Sequence, residues 1–258
     1  QQSRLESDRV FPTSSNVDQS FSNVLPNAMW RKKISTSSSF RLFYRASVNF
    51  PAVTQLQDVV NLSNPLRVSS GNPLLQQSYT HLLGGRWTYT NSKTSRSFFA
   101  NIFLQTTADY ISNATYIAGA DSVIQQGIEL KKGSQLTKPV NLNGYRSLRS
   151  FFTYSMPIRS IKTNINLNAG IIYNRLPALV NYRKTITDNF IYSGGVVFAS
   201  NISEYVDFNL SYNLNINQAS TNSGSTADNN YSFQSAGLQL NLLNKKGWFV
   251  QNDVSNQT

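Results

Sequence analysis

Residues 203–219 constrain this chain more than any other stretch. Val206, Phe208, Leu210, Tyr212, Leu214 and Ile216 share one parity, and Asp207, Asn209, Ser211, Asn213, Asn215 and Asn217 share the other. Side chains on a strand point alternately to opposite faces, so the stretch is a strand with one apolar and one polar face. It is longer than the usual strand of ~5–6 residues. A tilted strand of ~9–11 residues crosses a bilayer. The open question is whether the apolar face meets a protein core or lipid.

The pattern recurs. Phe40, Leu42, Tyr44, Ala46 and Val48 alternate with Arg41, Phe43, Arg45, Ser47 and Asn49. Phe98, Ala100, Ile102 and Leu104 alternate with Phe99, Asn101, Phe103 and Gln105. Ile161, Thr163, Ile165, Leu167, Ala169, Ile171 and Tyr173 face away from Lys162, Asn164, Asn166 and Asn168. Weaker strands are expected at 24–34, from Tyr79 to Tyr89, across Val140 to Tyr154, and from Phe190 to Phe198. Others run through Ala236 to Leu242 and begin again at Trp248. Residues 1–20 are polar and read as a loop entering the first strand.

About ten strands result, and their connections alternate in length. Short ones lie near 35–38, 91–96, 156–160, 200–204 and 244–247. Long ones lie near 50–78, 106–137, 174–184 and 218–229, where prolines and polar residues break the period, with hairpin arms as an alternative over 114–130. Greek-key sandwiches have no reason to alternate in this way. Outer-membrane barrels do, with short turns on one side and long loops on the other. Aromatics gather near strand ends, as at Trp87/Tyr89, Tyr173 and Trp248/Phe249, where interfacial girdles belong.

Composition agrees. Charged residues make up 14% of the 258 residues, against ~25% in ordinary soluble domains. Mean hydropathy is −0.33, which a barrel produces because its polar lumen face offsets its lipid face. No run of ~18 apolar residues is present, so no transmembrane helix is expected. There is no cysteine, which removes disulfide frameworks and thiolate sites. The net charge of +11 raises a nucleic-acid reading. The basic residues are scattered, however, with short clusters at Arg31-Lys32-Lys33, Lys131-Lys132 and Lys245-Lys246. Solvated turns or anionic lipid account for these, and no nucleic-acid partner is expected.

Catalytic chemistry finds little support. His81 is the single histidine, and it falls within a strand without a nucleophile-elbow motif. Asp109, Asp121 and Glu129 share one loop region but lack EF-hand spacing; a calcium site there is the weaker reading. Gly84-Gly85 and Gly194-Gly195 read as strand positions, not phosphate loops. Asn-x-Ser/Thr occurs at Asn61, Asn113, Asn201 and Asn209, with no glycosylation expected in a bacterial outer membrane. The expectation is no enzyme, no cofactor, and no catalytic, cofactor-binding or metal residue. Arg41, Arg45, Arg149 and Lys162 fall on the polar parity, where they either attract an anionic solute, hold a plug, or simply hydrate a lumen. The loops 50–78 and 106–137 are the better places for ligand capture. The ligand itself is unknown.

Three segments carry a resemblance. Residues 25–30 read Leu-Pro-Asn-Ala-Met-Trp, and 40–46 read Phe-Arg-Leu-Phe-Tyr-Arg-Ala. Residues 62–79 contain Asn64-Pro65-Leu66, then Gly71-Asn72-Pro73, then Tyr79. That order resembles the outer-membrane β-barrel family of Bacteroidota, which is similar to the barrel portion of TonB-dependent receptors. The likeness is specific around 40–90 and architectural beyond 96. It implies energised uptake of a nutrient or chelate, outer-membrane lipid and a TonB-type energising protein as partners, and a plug and further strands outside 1–258.

The expected fold is therefore all-β: an antiparallel up-and-down transmembrane β-barrel, partial, of about ten strands and truncated at both ends. Residues 1–258 form part of one barrel domain in the outer membrane. A structural or adhesive barrel and a soluble all-β binding domain stay open as alternatives.

Overall fold

The computed structural model describes residues 2–9, 15–125, 128–200, 205–222, 229–244 and 247–258. It begins with a separate two-stranded ribbon, β1 (Gln2–Arg9) and β2 (Ser15–Ser22). There follow β3 (Asn27–Lys33), β4 (Ser38–Asn49), a four-residue helix α1 (Val53–Leu56), β5 (Arg67–Ser69), β6 (Ser78–Asn91) and β7 (Arg96–Ala108). The loop side then contributes β8 (Tyr110–Ile117), β9 (Ser122–Gln125), β10 (Ile128–Leu130) and β11 (Gln135–Leu142). Long strands return as β12 (Tyr145–Ile158), β13 (Thr163–Val180), β14 (Arg183–Ser200), β15 (Val206–Thr221), β16 (Asn229–Leu243) and β17 (Phe249–Gln257).

Ten of these strands form one antiparallel path, in the order β17-β16-β15-β14-β13-β12-β7-β6-β4-β3. Strands that follow one another along the path are neighbours in it, as an up-and-down wall requires. The wall is an open sheet, with β3 and β17 at its edges, and not a closed barrel.

Register explains why the faces hold. Trp30 lies opposite Leu42, Leu42 opposite Gly85, and Gly85 opposite Ile102. Leu148 lies opposite Leu104 and Tyr173, Val196 opposite Leu167 and Tyr212, and Leu210 opposite Phe198 and Leu238. A slip of one residue would turn each apolar set to the other face. Among the described residues nothing covers this face. Leu210 and Leu238 are each 45% exposed, whereas Leu56 and Leu75, which form the one buried apolar cluster among the described residues, are 1% exposed. That cluster lies under the outer loops and not within the wall. An apolar face of this extent is not sustained in water, so the wall faces lipid. A shallow groove of about 420 Å³ over Gly85 and Ala100 is almost wholly apolar, lined by Phe40, Leu83, Trp87 and Phe152 among others.

Several sequence expectations need correction. Residues 2–9 and 15–22 are strands, not an entry loop. The ribbon lacks an alternating apolar face, and its anchors are Leu5, which packs on the Leu56/Leu75 cluster, and Phe21, whose ring lies 5.1 Å from Phe50. Val140 and Leu142 belong to β11; Gly144, at φ +116°, separates it from β12. The strand expected from Ile161 starts at Thr163, because 159–161 form a 3₁₀ turn closed by Lys162 at φ 47°.

The largest correction concerns 174–184. This is no loop: β13 and β14 run 18 residues each and meet at Asn181 and Tyr182, both left-handed (φ 46° and 64°). Two consecutive left-handed residues are what a tight hairpin turn of matching twist needs. Pro177 is accommodated because its carbonyl, which accepts from Ser112 Oγ at 2.6 Å, points to the flank of β13 away from β14. On that flank the pairing with β12 has already ended at Arg146–Arg175, so no ladder donor is lost. Of the loop expected at 218–229, residues 218–221 end β15 and Asn229 begins β16, while 223–228, like Lys245-Lys246 and Asn201, lie outside the described residues.

Candidate functional site

The polar face opposite the lipid-facing one has two parts. On β13 it is an asparagine ladder satisfied from β12: Ser155 Oγ donates to Asn166 Oδ1 at 2.6 Å, Thr153 Oγ1 to Asn168 Oδ1 at 3.0 Å, and Ser147 Oγ to Asn174 Oδ1 at 2.8 Å. Asn241 similarly donates to Asp207 at 2.7 Å between β16 and β15. Cross-strand pairs of this kind fix a wet surface.

From β3 to β12 the same face is basic. Arg31 lies opposite Arg41, and Arg41 opposite Arg86. Arg86 Nε donates to Asn101 Oδ1 at 2.7 Å. Arg45 and Arg149 share this face, as the alternation predicted. Lys162 does not; it sits in the short turn at the opposite rim from the long loops. The aromatic residues of the same parity escape a polar/apolar reading. Phe43 lies opposite Gly84, where an added Cβ would come within 2.2 Å of its ring, and its centroid is 6.1 Å from that of Phe103.

His81 is a girdle residue on the lipid face. Its Nδ1 is 2.7 Å from Tyr44 Oη, and Tyr79 lies 5.0 Å away. Tyr79, His81 and Tyr44 thus make an aromatic rim on the loop side. Trp30, Phe40, Trp87 and Phe98 make another near the short turns, joined by Trp30–Phe40 and Trp87–Phe98 edge contacts at 5.9 and 5.3 Å. From Tyr79 to Trp87 is eight positions of one strand, about 26 Å at ~3.3 Å per residue. With strands tilted by roughly 40°, that is about 20 Å of membrane height, comparable to an apolar band ~25 Å tall between girdles.

The outer loops are packed, not loose. Asn64 Oδ1 accepts from Leu66 N at 3.0 Å and Asn72 Oδ1 from Leu74 N at 3.0 Å, so each Asn-Pro-Leu is the same side-chain-capped turn. Asn72 Nδ2 also donates to Pro139 O at 3.0 Å, tying the first loop to β11. β5 pairs in parallel with β11, β11 with β8, and β8 with the tip of β13. Gly71 permits this closure: a Cβ there would lie 2.0 Å from Gln57 O. Beside it opens a cleft of about 620 Å³ lined by Gln55, Gln57, Asn61, Ser69, Asn113 and Thr137, with other residues of the two loops. Its lining is uncharged and rich in amide and hydroxyl groups.

The three carboxylates considered for calcium are not brought together. Lys131 Nζ sits 3.2 Å from Asp121 and 2.8 Å from Glu129, while Asp109 occupies a left-handed turn (φ 50°) beside Asn141 and Asn143. The Lys132 backbone N–H and then the Lys131 ammonium hold the Asp121 carboxyl below its ordinary range.

A meander wall, apolar on one side, hydrated on the other, with aromatic girdles at two levels, defines a transmembrane β-barrel protein. The sequence profile of the outer membrane protein beta-barrel family matches residues 2–252, and the chain belongs to that family. It is an outer-membrane protein. No curated protein and no solved structure matches it.

Proposed function

We propose that this wall lines the solute path of a TonB-dependent-receptor-like importer that carries a nutrient or chelate across the outer membrane. The observation that carries the reading is the pairing of a hydrated, basic inner face with outer loops packed into a cleft of about 620 Å³. A purely structural barrel has no use for a built cleft, whereas long loops held on a rigid scaffold are where recognition resides. In lipid, both edges of the sheet need partners, because each unpaired backbone group costs several kcal/mol. The wall therefore works as part of a closed barrel. Uptake draws on a TonB-type energising protein and involves no chemical step on the solute.

The test is a strain lacking the protein, complemented with wild type or with Gly71→Val, and offered a panel of labelled solutes with and without a protonophore. At least one solute should enter only with wild type and only when the membrane is energised. Gly71→Val should reach the outer membrane yet lose that uptake. Identical uptake by the deletion strain and the wild type across the panel would leave a structural barrel as the reading.

A further inference from the structure

The inner face between β3 and β12 has a chemistry that hydration alone does not explain. It presents Arg31, Lys33, Arg41, Arg45, Arg86 and Arg149, and β3, β4, β6, β7 and β12 contain no Asp or Glu. The ion pairs formed by described residues lie elsewhere, at Arg4–Glu6, at Lys131, and at Lys138–Asp58. Like charges directly opposite one another weaken a sheet. The row Arg31–Arg41–Arg86 does this twice.

Apolar groups are set among these cations. Leu82, Phe103 and Phe151 line an open pocket of about 270 Å³ together with Gln105, Ser147 and Arg149. Arg149 lies directly opposite Phe103, and Phe151 directly opposite Asn101, the residue that holds Arg86. An aromatic ring facing a water-filled lumen forgoes the stabilisation that burial of such a side chain provides. Bare phosphate would need no rings, a neutral apolar solute no arginine, and a cation would be repelled.

We propose that this pocket binds a small organic anion with a flat apolar body, of which an aryl carboxylate is the simplest form. The Arg149 guanidinium takes the carboxylate by charge-assisted hydrogen bonds, and Phe103, Phe151 and Leu82 cover the ring. The arginine row supplies the field that draws the anion to the wall. The proposal rests on the reading that this face lines the lumen.

The experiment uses the full-length protein in detergent micelles and follows 4-fluorobenzoate, 4-fluorobenzyl alcohol and 4-fluorobenzylamine by fluorine NMR line broadening. The benzoate should bind and the amine should not. Arg149→Gln and Phe103→Leu should each weaken benzoate binding about tenfold or more, as expected for loss of one charge-assisted bond or one ring contact. Arg149→Lys should keep part of it. Equal binding of anion and amine, or unchanged affinity in Arg149→Gln, overturns the proposal. Thiol labelling in intact membranes separates this from failure of the lumen reading. Because the sequence has no native cysteine, Thr153→Cys should react with a water-soluble maleimide and Phe152→Cys should not. The reverse pattern removes the lumen and the proposal together.

Discussion

At the residue scale, adjacent positions on one strand live in different solvents. Leu210 faces lipid, and Ser211 faces inward, where Gly237 lies opposite it. Leu210→Arg should therefore destabilise the assembled wall by ~2–4 kcal/mol, the cost of a charge on the lipid face at mid-bilayer, while Ser211→Arg should cost little. Folded fraction after reconstitution, read by the heat-dependent gel mobility of the two variants, checks this; equal loss would refute the assignment of faces. A second residue-scale expectation concerns acid. The Asp121 carboxyl has its pKa lowered in the folded loop, chiefly by the Lys132 N–H. A depressed carboxylate contributes stability that is complete above its unfolded value of ~3.9 and lost as pH falls through the lower folded value. Exchange of the Lys132 amide, corrected for intrinsic rate, should thus accelerate below that range in wild type and be fast at neutral pH in Asp121→Ala. Asp121 is exposed, so the whole protein's unfolding should barely move.

At the scale of elements, the membrane-spanning strands were legible because the bilayer imposes a period on them. Val206 to Ile216 repeat it without a break, and Phe40 to Val48 with Phe43 as the exception. Of the loop-side elements only the hairpin arms over 114–130 were legible, because what holds the rest is distant in sequence and polar. β5 pairs with β11 across 68 positions of sequence, from Arg67 to Gln135. Pro177 looked like a breaker because the sequence does not show that its flank of β13 has lost β12, or that Pro177 meets β8 there only through the Ser112 hydroxyl, ahead of the parallel pairing at Leu179 and Val180. The inner pocket stayed hidden for a related reason. Phe103 and Phe151 fall on the polar parity, and only register brings them beside Arg149 and Leu82. The β13–β14 hairpin gives the element-scale prediction. Asn181 holds the left-handed turn, accepts from Ile117 N at 2.8 Å through Oδ1, and donates from its own N–H to Thr115 O at 3.0 Å. Asn181→Ala should cost about 1–3 kcal/mol, from backbone strain and one lost bond, while Asn181→Gly should lose only the bond. Limited proteolysis should show the Ala variant cut faster at 118–134 than the Gly variant, and both faster than wild type.

At the scale of the whole molecule, the two rims differ in chemistry. Trp30, Trp87 and Trp248 all sit toward the short turns, on β3, β6 and just before β17. The loop-side rim uses Tyr79, His81, Tyr173 and Tyr192 instead. Trp87 shows why the indole suits its level. Its ring packs on Phe98, and Nε1 donates to Ser38 Oγ at 2.9 Å, so one end is apolar and the other polar. If half of a band of ~25 Å separates each girdle from the bilayer centre, Trp87 lies roughly 10 Å or more from that centre. A full-length variant retaining Trp87 as its only tryptophan, reconstituted into vesicles, should be quenched best by lipids brominated near the headgroup. Bromines at the acyl-chain ends should quench it least. Maximal quenching from the chain ends would place Trp87 at the bilayer midplane. The rim assignment would then fail, and with it the rule that the short turns and long loops bound the two sides of one membrane-spanning wall.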